Sequence, residues 1–90
     1  MFTVITGLVF GLGGAPEYRV YATETHGVCT QKLVDTIATQ MASAMATNNL
    51  ELRVIRTDCM DATALAGFTD GLILIHRDGG ALTFSRRIAP

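Results

Sequence analysis

The chain has 90 residues and a formal net charge of −1; 49% of it is hydrophobic and only 17% charged. That balance excludes an electrostatic grip on nucleic acid or an anionic membrane, and two cysteines are too few for a disulfide scaffold. One small domain with a thin core is expected. A charged fraction below the roughly 25% usual for soluble domains implies a surface partly covered by other protein subunits, as a homo-oligomer or a larger assembly.

Phe2 to Phe10 is rich in β-branched and aromatic residues and reads as a strand or extended arm. Phe2, Val4, Leu8 and Phe10 share one face and Ile5 and Val9 the other. Both faces are apolar, so both call for burial. Met1 to Ala15 carries no charged side chain, but it has no basic start, and Pro16 would directly follow a cleavage point. The segment therefore does not read as a signal peptide. It is also short of the roughly 20 residues a membrane-spanning helix needs.

Thr6-Gly7-x-x-x-Gly11-Leu12-Gly13 matches the glycine spacing of a dinucleotide loop. Such a loop must open a helix whose N-terminus faces the phosphates. Here bulky Leu8, Val9 and Phe10 stand between the glycines, and Gly14 and Pro16 lead into another strand. No nucleotide cofactor is expected.

Tyr18 to Ala22 reads as a short strand, and a polar loop through Val28 follows. Over Thr30 to Asn49, Leu33, Ile37, Met41 and Met45 fall four apart, with Val34, Ala38 and Ala42 beside them. This is one apolar stripe at helical period. Thr30 is placed to cap the first turn, and Asn48-Asn49 to end the helix in the left-handed conformation. Leu50 to Arg56 reads as a strand, and Asp58 as the cap of a short helix from Cys59 to Ala66. Leu72 to Ile75 is a continuous apolar run, as in a strand covered on both faces. Arg77-Asp78-Gly79-Gly80 is a tight turn, returning through Ala81 to Arg87. Leu33, Ile37, Met41, Met45, Leu52, Val54, Leu74 and Phe84 are the expected core.

From Tyr18 onward the order is strand, helix, strand, short helix, hairpin. Two strands joined by a helix should run parallel through a right-handed crossover. The expected class is α/β, β-α-β-α-β-β, with a four-stranded mixed sheet preceded by an apolar N-terminal strand or arm. This order, with Tyr21-Ala22, then His26-Gly27-Val28-Cys29 at the helix start and Gly67 to Gly80 as a closing hairpin, resembles thioredoxins and the thioredoxin-like [2Fe-2S] ferredoxins. The resemblance covers residues 18–87. It divides the chain into a thioredoxin-like domain, residues 18–90, and an arm with a Gly-rich hinge, residues 1–17. It implies that His26 stands where those proteins carry the attacking cysteine. Only Cys29 and Cys59 remain of a four-cysteine cluster set. Neither disulfide exchange of the thioredoxin kind nor a [2Fe-2S] cluster is then expected.

The loops after parallel strands gather at one sheet edge, which brings His26 and Cys29 toward Cys59. Three readings stand open there: a disulfide, a metal site using His26, or two small buried thiols. The main functional expectation is a non-catalytic assembly protein, a small subunit of a larger complex or a virion component. It would dock through Phe2, Val4, Ile5, Leu8, Val9 and Phe10. The alternative is a redox or metal-binding protein using Cys29 and Cys59 with His26. No catalytic residue is assigned, and the cytoplasm or an assembled particle is the expected location rather than secretion.

Overall fold

The computed structural model describes residues 1–86. Its elements are strands β1 (Phe2–Phe10) and β2 (Glu17–Glu24), helix α1 (Gln31–Ala46), strand β3 (Glu51–Met60), helix α2 (Ala62–Phe68), and strands β4 (Ile73–Asp78) and β5 (Ala81–Ser85). The strands form a five-stranded sheet in the order β3-β1-β2-β5-β4, and every neighbouring pair is antiparallel. This overturns the four-stranded mixed sheet and, with it, the thioredoxin resemblance.

The cause lies in β1. It is no detached arm, but pairs with β2 from Phe2 to Val9 and with β3 from Phe2 to Phe10. Because β2 and β3 both run against β1, they run the same way as each other, as a strand–helix–strand unit should. They are not neighbours, because β1 has been inserted between them and supplies the backbone partners of both. Residues 11–16 are the β1–β2 connection, with Gly11 and Gly13 at φ 100° and 89°. They lead into a strand, so the glycine-rich stretch presents no helix N-terminus.

Alternation along β1 divides the core. Val4 faces the α2 side with Val20, Ala22 and Leu65, and Ile5 faces the α1 side with Val34 and Ala38. Val4, Ile5, Val9, Val20 and Val34 are at most 1% exposed. The helix is capped as its sequence implies: the Thr30 hydroxyl accepts from the Leu33 N–H at 3.1 Å, and Asn49 has φ 61°. Its deepest column is Val34 and Ala38, with Leu33, Ile37, Met41 and Met45 half-buried around it. Leu52 is buried and Phe84 half-buried as part of the core, but Val54 and Leu74 are exposed. Val54 lies on β3 and Leu74 on β4, the two sheet edges, where only one flank is covered. The Leu72–Ile75 run therefore ends in an edge strand, not one covered on both faces.

Two boundaries also differ from the sequence reading. Phe2 pairs with Met60, so β3 runs past Asp58 and absorbs Cys59. The α2 cap passes to Asp61, whose carboxylate accepts from the Ala64 N–H at 2.7 Å. The expected strand end at Arg87 falls outside the described residues.

Midway along β1 the pairing steps from Thr6 with Arg56 to Gly7 with Val54, leaving Ile55 as a bulge. A Cβ on Gly7 would meet the Arg53 carbonyl oxygen at 2.6 Å and Leu52 Cδ1 at 2.9 Å, so β3 closes on β1 there only because the residue is glycine. Beside it, Thr6 is 1% exposed and its hydroxyl has no hydrogen-bond partner among the described residues. Replacing Thr6 with valine keeps the shape and removes the unsatisfied group, so urea unfolding should show a gain of about 1–3 kcal/mol. A loss of stability would mean that the hydroxyl is in fact paired.

Candidate redox site

Thr30 starts α1, so Cys29 stands directly before the helix entrance. Cys59 lies near the far end of β3, opposite Thr3 of β1. Helix α1 runs back along β3 rather than over the middle of the sheet, and this brings the two cysteines together. Their Cα atoms are 6.0 Å apart and their sulfurs are bonded at 2.00 Å, across 30 residues of sequence. The separation lies within the range a disulfide spans without backbone movement. Of the three readings open from the sequence, the disulfide is the one realised.

Both cysteines are half-buried. The Cys29 sulfur touches the Phe2 carbonyl oxygen at 3.9 Å, a contact only, because the bonded sulfur carries no proton. In this state neither sulfur is a thiolate ligand. His26 is exposed in the loop, and no group of three or more His, Cys, Asp or Glu side chains suited to a metal occurs among the described residues.

A polar clasp joins the same two elements one turn further along. The Thr57 hydroxyl donates to Asp35 Oδ1 at 2.7 Å, and the Gln31 amide donates to the same oxygen at 2.9 Å. The Gln31 amide also contacts the Thr57 hydroxyl. Hydrogen bonds from Thr57 first, then Gln31, hold the Asp35 carboxyl below its ordinary range. A depressed pKa in the folded state means that the clasp is complete above the unfolded value near 3.9 and is lost as pH falls through the folded value. Carboxyl-detected NMR should therefore find Asp35 titrating below an ordinary aspartate, and Thr57→Val should move it back up. Titration at the ordinary value would mean that the clasp does not hold in solution. The sequence reading missed this clasp: Gln31 and Asp35 stand four apart on one helix face, the single local signal for it, and nothing local points to Thr57.

The six residues expected to dock partners lie in the protein's own sheet. Val4, Ile5 and Val9 are fully enclosed, while Phe2, Leu8 and Phe10 are half-buried. The Arg53 guanidinium sits 4.6 Å above the Phe10 ring.

A cleft of about 630 Å³ opens elsewhere, between Leu8, Pro16, Tyr18, Ile73, Ile75 and Arg86. Its one carboxylate, Glu17, already accepts from Ser85 at 2.6 Å and pairs with Arg19 at 3.2 Å. Those bonds, the one from Ser85 foremost, hold Glu17 below the usual carboxylate range.

No helix among the described residues is long and apolar enough to cross a membrane. Comparison with known proteins finds no matching family model, no matching curated protein and no matching solved structure.

Proposed function

We propose that the chain is a redox-responsive protein whose working group is the Cys29–Cys59 couple. The observation that carries this reading is the position of the bond. It joins the residue before the cap of α1 to the penultimate residue of an edge strand, and both cysteines are only half-buried, not enclosed in the core. A thiolate attacks one sulfur, the other leaves as a thiolate, and a second thiol resolves the mixed disulfide. Two thiols become one disulfide while this bond takes up two electrons and two protons. Cys29 at the N-terminal end of a 16-residue helix is the better thiolate, because the helix dipole favours negative charge there. It is therefore the leaving group, and attack falls on Cys59.

Reduction releases the covalent fastening between α1 and β3 and leaves the Gln31–Asp35–Thr57 clasp and the apolar packing of α1 to hold them together. A couple of this kind suits a cytoplasmic setting, where disulfides are transient and sensing rather than permanent. The test is equilibration of the full chain in graded glutathione buffers, with the thiols trapped by alkylation and counted by mass. The expected result is a reversible two-electron couple without denaturant, at a potential above about −300 mV. A bond that yields only when the protein is unfolded would make it a permanent staple and overturn the proposal.

A further inference from the structure

We propose that the thiol partner of the Cys29–Cys59 couple is a protein dithiol, which docks on the exposed corner formed by Val28 and Met1. This rests on the redox reading above and names the reductant for it. Val28 is 84% exposed, more than any other large apolar side chain among the described residues, and Met1 follows at 57%. Both belong to one corner of the fold. Val28 directly precedes Cys29. The Met1 carbonyl accepts from the Thr25 N–H at 2.9 Å and from the Thr25 hydroxyl at 3.0 Å, which ties the start of β1 to the loop that carries Val28. The next residue, Phe2, brings its carbonyl oxygen to 3.9 Å from the Cys29 sulfur. Single exposed apolar residues are ordinary on a protein surface. The meeting of these two beside a half-buried disulfide selects a thiol partner that has an apolar surface of its own.

The backbone of the loop favours the same partner. His26, Gly27 and Val28 make no backbone hydrogen bond among the described residues, and the space beside the Gly27 Cα is open. An extended segment of a docked protein can pair with these N–H and C=O groups while it covers Val28. A small thiol has too little apolar area to use both. The exchange balances without another reagent. One partner thiolate attacks the Cys59 sulfur, and Cys29 leaves as a thiolate. The partner's second thiolate then attacks its own first sulfur, and Cys59 leaves in turn. The partner gives up two electrons and two protons and becomes a disulfide, while Cys29 and Cys59 take them up as thiols.

The probe is reduced thioredoxin, kept reduced by its NADPH-dependent reductase, with dithiothreitol as the small dithiol for comparison. Each is mixed with the oxidised full chain, the reaction is quenched by alkylation, and the thiols are counted by mass. Thioredoxin is expected to open the bond faster per dithiol than dithiothreitol does. Val28→Ser should slow the thioredoxin reaction about tenfold, the scale of a valine side chain covered on docking, and leave the dithiothreitol rate unchanged. Val28→Ile should react as the unaltered chain does. Neither substitution touches the core, because the side chain is exposed. Equal thioredoxin rates for Val28→Ser and the unaltered chain would overturn the proposal. So would equal slowing of Val28→Ser with both dithiols, since the side chain would then act on the bond and not on a docked protein. A bond that dithiothreitol opens and thioredoxin does not would overturn it as well, and would leave the redox reading standing. A bond that neither opens in the folded chain would overturn the redox reading itself, and this proposal with it.

Discussion

Deletion of residues 2–12 is expected to leave no folded domain. β1 holds both of its neighbours in the sheet, and its removal separates β3 and α1 from β2, β4 and β5. Val4, Ile5 and Val9 are at most 1% exposed. Burying three such side chains at about 1.5–3 kcal/mol each gives roughly 5–9 kcal/mol, which is comparable with the whole stability of an ordinary domain, about 5–15 kcal/mol. The truncated chain should lose amide dispersion in two-dimensional NMR and its strand signal in circular dichroism. A folded, soluble monomer lacking these residues would restore the detached arm that the sequence suggested, and would remove β1 from the sheet.

The second large effect concerns the disulfide. Closing a loop of 30 residues restricts the unfolded chain by an amount worth about 3–4 kcal/mol, between the values for shorter and longer loops. The double variant Cys29→Ser, Cys59→Ser should therefore unfold at markedly lower urea with an otherwise similar transition. Wild-type protein kept in excess dithiothreitol should follow the same curve. Identical midpoints for oxidised and double-variant protein would mean that the bond does not form in solution.

The helix was the most legible part of the chain, because its cap and its four-residue spacing are local properties. Which column lies deepest was not local. α1 runs along β3, and close approach selects Val34 and the small Ala38, while the longer Leu33, Ile37, Met41 and Met45 reach around the sides. Burial of β1 was equally legible from its two apolar faces. Such a pattern states that a strand must be covered, but not whether the cover is its own sheet or another chain.

The common direction of β2 and β3 followed from the helix between them. Their separation could not be read, since the inserted strand precedes both in the sequence. β4 misled for a related reason: an apolar run reads the same in a central strand as on an edge. The cysteine pairing depended on β3 reaching Met60, and that extension is set by Phe2, at the other end of the sequence. The Asp35–Thr57 bond spans 22 residues and becomes visible only when α1 is laid along β3.

The most direct test of the redox couple and its control over α1 is residue-resolved amide hydrogen exchange on the full chain, oxidised and then reduced with dithiothreitol without denaturant. If the couple governs how α1 is held to β3, reduction should speed exchange in the first turns of α1 and in the outer end of β3. Protection in β1, β2 and β5 should persist, and reoxidation should restore the original pattern. Unchanged exchange in the Gln31–Asp35 turn after verified reduction, or loss of protection throughout the sheet, would contradict it.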